Sequence, residues 1–121
     1  MQIVRRFAPP LLLMAVIFFL SAQPNLSSGL GVWDTILRKA AHMTEYGLLW
    51  FLWWRALGFG SKLPAAGIAV AYAVTDEFHQ HFVEGRHGAP VDVLIDSVGI
   101  ALAIAAVTYR QRRRTAAPAA T

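Results

Sequence analysis

The sequence predicts an all-α fold, a four-helix transmembrane bundle with both termini cytoplasmic. Three observations carry that prediction. Hydrophobic residues make up 56% of the 121-residue chain and charged residues only 15%, against about 25% charged in an ordinary soluble domain. Four apolar stretches recur, each near the ~17–25 residues that a helix needs to cross a bilayer. The basic residues gather at the chain ends and in short connections, where the positive-inside bias acts.

The first stretch, "FAPPLLLMAVIFFLSA" (Phe7 to Ala22), is the shortest and relies on flanking residues or a thinner patch of bilayer. An alternative treats Met1 to Ala22 as a cleaved signal peptide. The apolar run is long for one, and Leu20 stands where a cleavage site needs a small residue. Pro24 and the Ser, Gly and Asn of "QPNLSSGLGVWD" mark a loop. The second stretch runs from Ala40 to Leu57, and "GFGSK" (Gly58 to Lys62) makes a tight link to the third. Pro64 is suited to the start of that third helix, Pro64 to Phe82. "VEGRHGAP" leads into the fourth, Val91 to Tyr109. Residues 1–109 thus read as one four-helix domain. Residues 110–121 read as a basic cytoplasmic tail, disordered beyond Arg114. Helices, not strands, are the reading for such spans, because isolated apolar strands leave their backbone unsatisfied in lipid.

Charge sets the orientation. With the N-terminus inside, Arg5, Arg6, Arg55, Lys62, Arg110, Arg112, Arg113 and Arg114 are cytoplasmic, eight of the 11 Lys and Arg. Arg38, Lys39 and Arg86 lie outside. The isoelectric point of 10.1 does not point to nucleic acid, because no basic stripe with interleaved aromatics is present. "RQRRR" (Arg110 to Arg114) reads as an orientation signal touching anionic lipid. Trp50, Trp53 and Trp54 read as an interfacial aromatic belt. With no cysteine, disulfides, thiolate catalysis and Cys-based zinc sites are excluded.

Against this apolar background, "TDEFHQHFVEGRH" (Thr75 to His87) stands out. In the orientation above, Asp76 to His81 lie at the outer end of the third helix. His42 and Glu45 lie at the outer end of the second, and Asp92 and Asp96 at that of the fourth. Ionisable groups of three helices therefore share one leaflet. At about 100° per residue, His42, Glu45, Tyr46 and Leu49 share a face. So do Asp76, His79 and Gln80, with Glu77 and His81 beside them. Asp92, Asp96, Gly99 and Ala103 form a stripe whose small residues allow close helix contact. Ionisable groups inside a membrane usually face the bundle interior or a wet cavity. The expectation is a polar pocket between the second, third and fourth helices, open outward.

Such carboxylate and histidine sites suit binding, acid–base chemistry or proton transfer. As a binding site, Lys39 and Arg86 would hold phosphate or carboxylate. His42, Glu45, Tyr46, Asp76, Glu77, Gln80, Asp92 and Asp96 would complete the pocket. As an intramembrane enzyme, His42 or Glu77 would be the general base, with Asp76 or Asp92 orienting it. As a small proton-coupled transporter, the carboxylates would relay protons. The apolar cytoplasmic halves of the helices argue against that last reading. No metal or other cofactor is expected: His79 and His81 fall about 200° apart on a helix, and no His-Glu-x-x-His occurs.

"SAQP" (Ser21 to Pro24), "KAAHMTEYGLL" (Lys39 to Leu49), "TDEFHQHFVEGRH" and "VDVLIDSVG" (Val91 to Gly99) together resemble the VanZ-like family over about Ser21 to Tyr109. Lys39, His42, Tyr46, Asp76, Glu77, Gln80, Arg86, Asp92 and Gly99 match its pattern. Asp96 stands where the family usually has Asn. The resemblance implies a small multi-pass protein of the bacterial cytoplasmic membrane that acts at the cell envelope. Its partners would be membrane lipids and a lipid-linked cell-wall precursor or glycopeptide. The family name carries a link to teicoplanin resistance, without a settled reaction.

Overall fold

A computed structural model describes residues 2–21, 32–80 and 90–116. The all-α expectation holds. Four helices follow in order: α1 (Gln2–Ser21), α2 (Val32–Ala56), α3 (Lys62–Gln80) and α4 (Pro90–Ala116). Three of them exceed the apolar stretches that announce them. α1 begins five residues before Phe7, and α2 begins eight before Ala40, because helix formation tolerates polar residues that an apolar count leaves out. α4 runs on through Arg110 to Ala116, where the sequence suggests a tail turning disordered. Arg and Gln are good helix formers, and the Thr115 hydroxyl donates back to the Gln111 and Arg112 carbonyls at 3.2 and 3.0 Å.

Consecutive helices run in opposite directions. Near the start of α1, Arg6 donates to the Ala56 carbonyl at the end of α2 through Nε (2.9 Å) and Nη2 (2.6 Å). A cation there satisfies an orphan carbonyl and complements the helix dipole. Lys62 Nζ, at the start of α3, donates to Thr108 Oγ1 (2.9 Å) and Gln111 Oε1 (2.8 Å) late in α4. α2 is the hub and packs on the other three helices, while α1 meets α2 and α3 but not α4 among the described residues.

The α2–α3 link closes with a Schellman cap. Phe59 N–H donates to the Trp54 carbonyl (2.9 Å) and Gly58 N–H to that of Arg55 (3.0 Å). This geometry needs a left-handed residue after the helix, and Gly58 supplies it at φ 89°. Phe59 and Trp54 then stack edge to face at 4.9 Å between centroids. Trp50 and Trp54 are buried, not arrayed as the interfacial belt expected from sequence. Their indole N–H groups donate to the carbonyls of Lys62 (3.1 Å) and Gly60 (2.9 Å), and this bonding holds them inside.

The core centres on Tyr46, Leu49, Trp50 and Trp54 of α2, packed with Ala65, Ala69 and Ala73 of α3, Ile17 of α1 and Ile100 of α4. Elsewhere large apolar side chains face outward: Leu12, Val16 and Phe19 on α1, Phe78 on α3, Leu94 and Leu102 on α4. By length and composition α1 and α4 can cross a membrane, and only 11% and 17% of their apolar windows are buried. Core helices of a soluble protein would be mostly covered, so these surfaces are suited to lipid. α2 and α3 do not meet the same length-and-composition criterion, because charged and polar residues fill the first half of α2 and the end of α3.

Candidate functional site: a buried acid and imidazole cluster

The alternating directions bring the first half of α2, the end of α3 and the start of α4 to one end of the bundle. At that end Asp76 and Asp96 are the buried charged residues, 4% and 3% exposed. His42 Nδ1 and Asp96 Oδ1 face each other at 3.5 Å, without the alignment of a hydrogen bond. One turn along α2, the Tyr46 hydroxyl donates to Asp76 Oδ2 at 3.2 Å. The His42 and Tyr46 rings lie nearly parallel, 6.5 Å apart. Glu45 is half-buried and within electrostatic reach of His42, Asp76 and Asp96.

The close approach of α2 and α4 makes this possible. A Cβ added at Gly99 would stand 2.7 Å from the Met43 Cα, and one at Gly47 would stand 3.1 Å from the Gly99 carbonyl oxygen. Only glycine permits backbones this near. The crossing lies one turn below Asp96 and one residue past Tyr46, so it sets how far Asp96 reaches toward His42. The small-residue stripe of Gly99 and Ala103 falls at this contact, as its spacing suggests.

The structure thus gathers His42, Glu45, Tyr46, Asp76 and Asp96. Asp92 lies one turn nearer the helix end, half-buried and electrostatically coupled to Asp96. Glu77 is half-buried on α3. Lys39 is exposed, and no contact joins it to the cluster among the described residues. Arg86, His81 and the side chain of Gln80 lie outside the described residues. The carboxylate beside His42 is Asp96, not Asp76 or Asp92, which the sequence offers as its orienters. The i, i+4 and i, i+3 geometry places each of those acids on its own helix but cannot assign a partner across helices.

Two contributors escape a reading of ionisable residues. Tyr72, one turn before Asp76, donates from its hydroxyl to the Met14 carbonyl of α1 at 2.5 Å. Its ring lies 6.4 Å from that of Tyr46. His79 stacks on Phe18 of α1 at 4.2 Å and 18° between planes, so it turns toward α1 rather than into the α2–α4 side of the cluster. α1 is therefore a wall of this end, which the three-helix expectation leaves out. The i, i−4 spacing from Asp76 was the available signal for Tyr72; the contact of His79 depends on tertiary packing.

The cluster is rich in acceptors. Asp76 Oδ1 is shielded from solvent and has no hydrogen-bond partner among the described residues, and the equally shielded Asp96 Oδ1 and His42 Nδ1 face each other without an aligned bond. Buried polar atoms of this kind are rarely left unsatisfied, so the site is fitted to receive hydrogen-bond donors. Among the described residues no group of three or more His, Asp and Glu is arranged to hold a metal ion.

The family model described as VanZ/LLP1 matches residues 7–111. The chain belongs to the VanZ/LLP1 family. The match covers α2 and α3 and most of α1 and α4, and includes every member of the cluster. No curated protein and no solved structure matches the chain. Membership in the VanZ/LLP1 family, together with the lipid-suited surfaces of α1 and α4, identifies a membrane protein.

Proposed function

We propose that all four helices span the bacterial cytoplasmic membrane, with both termini inside, and that the cluster binds the polar headgroup of a lipid-linked or cell-envelope molecule. The observation that carries this reading is the pair of buried carboxylates: among the described residues Asp76 Oδ1 has no donor, and Asp96 Oδ1 has only the unaligned 3.5 Å contact to His42. A headgroup bearing hydroxyl or amino groups supplies those donors. Arg86 and Lys39 would take its phosphate or carboxylate. The eight-to-three distribution of basic residues supports the placement of the cluster at the outer face. A role in glycopeptide resistance, teicoplanin included, follows if the molecule bound is a cell-wall precursor or the glycopeptide itself.

Native mass spectrometry of protein extracted in gentle detergent tests the proposal. A headgroup-bearing lipid should accompany the wild type and be lost from Asp76→Ala and Asp96→Ala. Recovery of bare protein in every case, with unchanged glycopeptide sensitivity in a deletion strain, would overturn it.

One observation favours a second reading. A histidine facing a buried carboxylate across 3.5 Å is the arrangement of an oriented general base. In that reading His42 abstracts a proton from the bound molecule and Asp96 holds the imidazole. His42→Gln would then abolish turnover while ligand still co-purified, whereas a pure binder shows no turnover to lose.

A further inference from the structure

We infer a second site, at the opposite end of the bundle, for one anionic phospholipid. A groove of about 440 Å³ runs along α4, lined by Ala101, Ile104, Ala105, Thr108, Tyr109 and Arg112. Its lining begins with apolar Ala101, Ile104 and Ala105, continues through Thr108 and Tyr109, and ends in a cation, Arg112. That profile matches an acyl chain leading up to a phosphate.

The groups around the mouth agree. Thr108, in the lining, holds the ammonium of Lys62 at 2.9 Å. The other oxygen on that ammonium, Gln111 Oε1, is also neutral, and no carboxylate pairs with it among the described residues. Two neutral acceptors thus hold this half-buried Lys in a set position, without a carboxylate against it among the described residues. The Trp54 ring, 5.8 Å away, adds a further constraint on it. Arg112 follows Thr108 by one turn in the same lining, and the Arg113 guanidinium lies 6.0 Å over the Tyr109 ring. Tyr109 is exposed and amphipathic, as residues at headgroup level are.

The helix itself supplies the reach. α4 has 27 residues and is therefore about 40 Å long, beyond the ~30 Å hydrocarbon core. Its basic last turns stand at the level of phosphates. Basic groups there attract anionic lipid, and the attraction falls off within a Debye length. Lys62, held on Thr108 of the groove lining one turn from Arg112, differs from that diffuse attraction by its set position. This inference uses the membrane placement but nothing of the acid cluster, so either can fail without the other.

The test uses the full chain in detergent, titrated with phosphatidylglycerol or phosphatidylcholine and read by native mass spectrometry. Wild type should retain one phosphatidylglycerol about ten-fold better than phosphatidylcholine. Lys62→Gln/Arg112→Gln should erase the preference. Arg5→Gln/Arg114→Gln removes the same charge from the same end but spares the groove, and should change little. Ala105→Trp, at an exposed position, fills the groove and should lower retention without altering charge, which covers the case in which Lys62→Gln fails to fold. Equal losses in both charge pairs, or full retention in Ala105→Trp, would show diffuse surface attraction and overturn the site. Displacement of the lipid by free glycerol phosphate at comparable concentration would likewise exclude a chain-binding groove.

Discussion

Asp96 is the residue on which the cluster differs most from its family resemblance. Where the family resemblance leads to the expectation of Asn, this chain places a carboxylate against His42. Removing one of two buried polar partners leaves the other less satisfied, although polar contacts between membrane helices are typically worth only about 0.6–2 kcal/mol. His42→Ala should therefore lower stability by about 1–2 kcal/mol, measured by reversible unfolding in mixed micelles. Asp96→Asn should cost less, because an amide can still bond the imidazole. Tyr46→Phe deletes the one donor that the described residues give to Asp76 and should cost about 1 kcal/mol. If Tyr46→Phe proves neutral while His42→Ala does not, water or a ligand already serves Asp76. The sequence marks all these residues, since ionisable groups in apolar helices are conspicuous. It cannot rank them by partner. Pairing depends on side-chain reach across a helix contact, and helical spacing reports only faces.

At the scale of the element, two glycines fix where helices meet and turn. Gly99→Ala places a methyl group within van der Waals overlap of Met43 backbone. Backbone cannot rotate aside as a side chain can, so the variant should lose about 1–3 kcal/mol, as overpacked cores do. Gly47→Ala, with its nearest neighbours at 3.1 and 3.3 Å, should lose less. A reversed order in unfolding measurements would show that the α2–α4 crossing differs from that described. Gly58→Ala should cost roughly 1 kcal/mol through its left-handed backbone. The existence and order of the four helices were legible as four apolar runs, and the small-residue stripe of α4 as a contact face. Their ends were not, because Asp34 to Lys39 and Arg110 to Arg114 interrupt apolarity without interrupting helix. The buried place of Trp50 and Trp54 was equally hidden, since it depends on which loop carbonyls their indoles meet.

The whole molecule has two unlike ends. One gathers buried acids and imidazoles; the other carries Arg6, Lys62 and the arginines of α4. That polarity was readable from sequence, given helices of alternating direction, and so was the gathering of acids from several helices. What escaped was the share of α1, whose backbone carbonyl and Phe18 ring bear no charge to mark them. The absence of cysteine makes the proposed orientation simple to measure. Single cysteines at Ser61 and Arg114 should react with an impermeant thiol reagent only from the cytoplasmic side, and one at Arg38 only from outside. Labelling of Ser61→Cys from outside intact cells would reverse the proposed topology.

The hydrogen bond from Tyr46 to Asp76 joins the two described helices that fall short of the length and composition of a membrane span, and a capped turn of a few residues connects them. On the four-span reading, α2 and α3 then insert together as one hairpin that shields its acid before meeting hydrocarbon. Glycosylation mapping of nascent chains should find both helices integrated or neither. Tyr46→Leu should strand the pair more often, although it makes α2 greasier.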